Sequence, residues 1–151
     1  MTAAGLDIRP LTPGDEKEWR RLFRDYLAFY ETELPESTYQ ATWQRLNSGL
    51  PHEFACLLAV VEGKPVGLAH YLFHRSCWLE SNACYLQDLY ADPEMRGLGI
   101  GRARLEGVYA RARAEGAGEV HWETANHNHT AQRLYDRIAT KTPFIVYQKM
   151  L

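Results

Sequence analysis

The chain has 151 residues, 46% hydrophobic and 24% charged, with a formal net charge of -2. That is the size and balance of one globular domain, read here as spanning 1–151, with enough length to bury a core without staples. The weak negative charge removes the global basic field expected of a nucleic-acid binder.

Three cysteines, Cys56, Cys77 and Cys84, show no CxxC spacing, which argues against a zinc ribbon or a disulfide framework. No basic-then-apolar leader opens the chain, and no apolar run approaches membrane-spanning length. The expectation is a cytoplasmic protein with neither nucleic acid nor membrane as partner.

LDIRPL (6–11) reads as a first strand. Thr12-Pro13 then opens a helix, with Asp15 and Glu16 in its first turn. Trp19, Leu22, Phe23, Tyr26, Leu27 and Tyr30 follow at helical spacing and form one apolar stripe. A second helix carries Tyr39, Trp43 and Leu46 and ends at Asn47-Ser48-Gly49. FACLLAVVE (54–62) and VGLAHYLFH (66–74), joined by Glu62-Gly63-Lys64-Pro65, read as an antiparallel hairpin. CYLQDLYA (84–91) is the next strand, followed by a helix with Leu105, Val108, Tyr109 and Ala112 on its apolar face. EVHWET (119–124), a helix over 130–138 and FIVYQKM (144–150) complete the pattern. Strands 84–91 and 119–124, joined through a helix, are expected to lie parallel, which makes the sheet mixed with helices on its faces.

Between strand 84–91 and its following helix stands PEMRGLGIGR (93–102). A helix N-terminus has unpaired N–H groups and partial positive charge, and glycine lets the backbone approach an anion closely. A P-loop would need Lys and Ser/Thr at its end, but Arg102-Ala103 follow Gly101. A dinucleotide site would need GxGxxG after the first strand. The spacing that is present is Arg-x-x-Gly-x-Gly, at Arg96, Gly99 and Gly101.

This run resembles the pyrophosphate loop of the GNAT acyltransferase superfamily. LQDLYADPEMRGLGIG (86–101) resembles the family's fourth strand plus loop, and NHTAQRLY (128–135) its following helix. The wording of both motifs is most similar to a branch with fungal histone and polyamine acetyltransferases and bacterial relatives. The resemblance implies an α/β (α+β) fold with a mixed, mostly antiparallel six- to seven-stranded sheet and a central parallel pair.

It further implies acetyl-coenzyme A as co-substrate and no metal. Leu89, Tyr90 and Ala91 would offer backbone groups to the pantetheine arm. Arg96, Gly97, Leu98, Gly99, Ile100, Gly101 and Arg102 would cradle the pyrophosphate, and Asn128 would bond near the pantetheine or cap its helix. The implied reaction is direct attack of a primary amine on the thioester in a ternary complex. The acceptor is a small cationic amine, an amino acid or a protein lysine. The alternative is a non-catalytic acyl-CoA sensor on the same fold, for which a damaged loop or a lost tyrosine would be expected.

An ammonium must lose a proton before it attacks, so a carboxylate is required nearby. Asp88 is the first candidate and Glu123 the second, as base or as substrate contact. Tyr135 aligns with the family's tyrosine acid, and a phenol suits protonation of a thiolate; it also lies on an apolar stripe and could pack. Tyr30, Glu31 and Glu33 form an acidic, aromatic connection on the acceptor side, or a solvated charge run.

His70 and His74 share one strand face but stand about 13 Å apart along it, too far to chelate one ion alone. The tail IATKTPFIVYQKML lacks the usual glycine-aromatic pair and hairpin, and its one strand is expected to join another copy in a homodimer.

Overall fold

The structure, a computed structural model, describes residues 5–151. Its elements run β1 (Leu6–Pro10), α1 (Glu16–Phe29), α2 (Glu36–Leu46), β2 (Ala55–Val61), β3 (Lys64–Arg75), β4 (Asn82–Ala91), α3 (Ile100–Ala114), β5 (Glu119–His121) and α4 (His129–Ile138). The strands form one sheet in sequential order, antiparallel except for the parallel pair β4–β5.

Asp15 fixes the entry to α1. Its carboxylate accepts the Thr12 N–H at 2.8 Å and two bonds from the Arg9 guanidinium at 2.8 Å. The sequence stripe then does what its spacing implies: Trp19, Leu22, Phe23 and Leu27 are buried. They pack with Tyr39 of α2 against Leu58, Leu68 and Tyr90 on one face of the sheet. On the other face, Leu105, Val108 and Ala112 of α3 cover Leu57, Ala69, Cys84 and Leu86, with α4 alongside.

The parallel pair β4–β5 lies at the edge of the sheet rather than at its centre, and two strand expectations are corrected as well. Five strands form among the described residues, not six or seven, because β5 stops at His121 and residues 144–150 are not a strand. Strand backbone needs a neighbour to take its N–H and C=O groups. Past His121 the chain leaves β4 and turns to line a cleft, so residues 122–124 have no partner strand. The tail finds no partner strand among the described residues, and Phe144, Ile145 and Tyr147 are 71%, 75% and 89% exposed.

Candidate active site

β4 and β5 pair only at Ala83–Glu119, Cys84–Val120 and Tyr85–His121. β4 continues to Ala91 while β5 ends. The strands part into a cleft of about 690 Å³ that runs from Trp122 and Tyr135 to the glycine run.

Gly97 and Gly99 take positive φ, 81° and 76°, and Gly99 is the N-cap of α3. A side chain would strain either position. Gly101 serves by its smallness instead: a Cβ there would lie 3.4 Å from Leu134 Cδ2 of α4. The helix N-terminus, two left-handed glycines and the side chains of Arg96, Arg102 and Arg137 all line this cleft. That donor set fits a diphosphate group.

The cleft gathers most of the residues singled out from the sequence. Leu89, Tyr90, Ala91, Asn128 and Tyr135 line it, as do Tyr30 and Glu123. Every loop position from Arg96 to Arg102 does so except Leu98, which is 38% exposed. Glu31 and Glu33 line neither this cleft nor the smaller cavity described below; both are exposed in the α1–α2 connection. Neighbouring Glu36 is taken by Arg20 at 2.7 Å.

Tyr135 stands in the wall with its ring edge-on to Trp122, centroids 5.5 Å apart. Burial pushes its phenol up from the ordinary value, and the Arg104 guanidinium pulls it back down. Asn128 caps α4, its Oδ1 accepting the Ala131 N–H at 3.3 Å. Gln132 Nε2 donates to the carbonyls of Ala125 and Asn126, which ties down the loop that carries Asn128.

Asp88 faces the other side of the sheet. It shares a cavity of about 130 Å³ with Phe23, Thr42, Arg45, His70 and Gln87. Trp19 Nε1–H donates to His70 Nε2 at 2.9 Å, and His70 Nδ1 lies 2.9 Å from Asp88 Oδ2. Indole N–H can only donate. His70 Nε2 is therefore an acceptor, the ring proton sits on Nδ1, and that N–H donates to the carboxylate. Burial, together with the charge of Asp88, drives the Tyr26 phenol far above its usual range.

Gln87 connects the two cavities and lines both. The β3–β4 register jumps from His70–Asp88 to Tyr71–Leu86, so Gln87 is the extra residue of a bulge. Such a residue has unpaired backbone and a re-aimed side chain, at the point where the two cavities meet.

Nothing local in the sequence marks Tyr26, His70, Gln87, Arg45 and Arg104 as parts of these cavities, or Trp19 as the partner of His70. Trp19 and Tyr26 read as stripe residues, and His70 was weighed only as a metal ligand. The pairings that join them cross 51 and 18 positions of sequence, and no local pattern reports them. His74 is engaged elsewhere, its Nε2 2.8 Å from His121 Nε2. No group of three His, Cys, Asp or Glu side chains suited to a metal occurs among the described residues.

The Acetyltransferase (GNAT) family profile matches residues 19–139. The chain is 34% identical over 143 residues to the D-amino-acid N-acetyltransferase HPA3 of Saccharomyces cerevisiae, covering 94% of this chain and 89% of that one. It is 32% identical over 147 residues to the thialysine N-epsilon-acetyltransferase of Sus scrofa, covering 91% and 85%. In fold it is similar to AAC(6')-Iy in complex with a CoA-S-monomethyl-acetylneamine bisubstrate analog, with TM-score 0.84, 17% identity and coverage of 97% and 98%. The family match takes in β4, the glycine loop and α4, which are the elements that build the cleft. The chain belongs to the GNAT acetyltransferase family and is an acetyl-CoA-dependent acyltransferase.

Proposed function

We propose that the protein N-acetylates a small primary amine, best an amino acid, by direct transfer from acetyl-coenzyme A in a ternary complex. The observation that carries this reading is the pair of cavities that meet at Gln87. One is a cleft with a diphosphate cradle and Tyr135; the other is a small polar cavity floored by Asp88.

Backbone N–H groups of Gly97 to Gly101, with Arg96 and Arg102, hold the diphosphate. Leu89 to Ala91 and Asn128 line the path of the pantetheine arm. When bound, the co-substrate supplies an acetyl thioester and a thiol leaving group. The backbone N–H of Gln87, free of β3, is the donor assigned to the thioester carbonyl.

Asp88 receives the acceptor's ammonium and takes its proton, directly or through water. The neutral His70, fixed by Trp19, keeps the carboxylate aimed. The amine nitrogen then forms its bond to the acetyl carbon as the C–S bond breaks and sulfur leaves with the electron pair. Tyr135 gives that sulfur a proton. Glu123 is the carboxylate on the wall of the larger cleft and is assigned to acceptor contact with Tyr30.

The lining of the small cavity supports this substrate class. Asp88 suits a cation, while Arg45 and Thr42 suit a carboxylate. About 130 Å³ accommodates a small acceptor. The name of the yeast relative, a D-amino-acid N-acetyltransferase, supports the same class. A thiol-release assay with an amino acid, its carboxamide and its decarboxylated amine tests it. The amino acid is expected to be favoured over both, and Arg45→Met to erase the preference. Equal rates for all three would remove the amino-acid assignment while leaving acetyl transfer intact.

We also propose a cytoplasmic homodimer in which residues 144–150 of one copy extend the sheet of the other. The support is a run of exposed apolar side chains beside a sheet that ends on a three-residue edge strand.

A further inference from the structure

α3 buries Ile100, Arg104, Leu105, Val108 and Ala112. Four of these are ordinary core residues; the fifth carries a full charge and is 4% exposed. A buried guanidinium is expensive unless something compensates it. Its Nε donates to Ile100 O at 3.3 Å, and its Nη1 to the carbonyls of Leu68 and Tyr90. These are dipoles, not anions. Arg104 takes part in no salt bridge among the described residues, and burial pushes its pKa down to about 10, so it remains a cation at neutral pH.

Its seat is purpose-shaped. Gly67 of β3 lies beneath it, where a Cβ would meet Tyr90 O at 2.8 Å and Arg104 Cδ at 3.4 Å. Nη2 donates to no group among the described residues, and an ideal Cβ on Gly101 would lie 3.8 Å from it, close to Leu134. Leu134 precedes Tyr135 on α4, and Arg104 and Tyr135 line the same cleft. Burial lowers the pKa of Arg104 and the Tyr135 phenol acts in the opposite direction.

We propose that Arg104 is the electrostatic partner of Tyr135, holding positive charge where that phenol turns anionic on protonating the departing thiolate. This rests on the transfer reaction above. In that step the C–N bond forms, the C–S bond breaks and the sulfur takes the Tyr135 proton. The first proton of the ammonium has gone to Asp88. The second leaves nitrogen as the amide forms and returns to the phenolate through water in the cleft. The phenolate is thus transient and needs a counter-charge that the apolar wall of Trp122 and Leu134 does not supply. Arg104 supplies it without a carboxylate that would quench it. Burial opposes the ionisation of the phenol, and so does Tyr30, the C-cap residue of α1. Glu123, Arg96, Arg102 and Arg137 also line the cleft.

The test places a fluorinated tyrosine at position 135 and follows its ionisation by 19F NMR in the ligand-free protein. Arg104→Gln keeps hydrogen-bond donors for the two carbonyls and loses the charge; Arg104→Lys keeps the charge. The phenol is expected to become at least about tenfold weaker as an acid in Arg104→Gln, and to stay near its original strength in Arg104→Lys. Arg104→Met, which fills the space with an apolar chain, provides the neutral arm again if the glutamine variant does not fold. An ionisation unchanged in the neutral variants would overturn the proposal and leave Arg104 a clamp for Leu68 and Tyr90. That outcome is separate from the transfer reading, whose failure would appear as full turnover in Tyr135→Phe.

Discussion

Asp88 shows how one side chain is prepared by distant ones. Trp19 sets the tautomer of His70, and His70 donates to Asp88. The carboxylate therefore has a fixed direction, towards a cavity that Gln87 joins to the cleft. Asp88→Asn should keep the shape and lose the proton acceptor. Turnover is expected to fall by about 10²- to 10⁴-fold, with little change in melting temperature. A loss of less than tenfold would move the base elsewhere, with Glu123 next in line.

Asp15 matters to stability alone. Two bonds from Arg9, and then the Thr12 N–H and hydroxyl, hold its carboxyl well below the ordinary carboxylate range against the opposing effect of burial. A folded value below the unfolded one means that the unfolded chain binds more protons in acid, so stability rises with pH there. The contribution is complete above the unfolded value of about 3.9 and is lost as pH falls toward the folded one. Asp15→Asn should cost about 1 kcal/mol at pH 7, a modest figure because Arg9 is 32% exposed and partly screened. It should also flatten the acid limb in urea titrations below pH 4, and an acid limb as steep as before would disprove the assignment.

At the scale of elements, β4, the glycine loop and α3 were legible because their signals are local. A strand, left-handed glycines and a helix start occupy one continuous stretch, and Gly97 and Gly99 do take positive φ. Gly101 was grouped with them for flexibility, but the structure gives it a packing role against Leu134. Two variants separate these roles. Gly99→Val should weaken coenzyme A binding at least tenfold by straining the cradle, whereas Gly101→Val should also lower the melting temperature by pushing α4 away. Calorimetric binding and thermal melts read both, and equal melts for the two variants would contradict the distinction.

Arg104 was hidden for the opposite reason. A charged residue in a helix reads as solvent-facing, and only the seat left by Gly67, 37 positions earlier in the chain, lets it lie inside. β5 and the tail misled because alternating apolar residues predict a strand without saying whether a partner exists.

The whole molecule presents a sheet that ends on a short edge and a tail with exposed apolar side chains. Trp78, 84% exposed, meets Phe144 of that tail at 6.3 Å between ring centroids. Removing residues 144–151 should convert a dimer to a monomer in light scattering at micromolar concentration. A full-length chain that is already monomeric there would refute the dimer.

That the two cavities form one acetyl-transfer site is tested most directly by incubating the protein and its Tyr135→Phe variant with acetyl-coenzyme A and a panel of amino acids, following free thiol and the mass of the acceptor together. The native chain is expected to release one thiol for each acetyl group gained on the acceptor nitrogen, and the variant to be slower by at least tenfold. Thiol release without an acetylated acceptor, or a Tyr135→Phe variant as fast as the native chain, would contradict it.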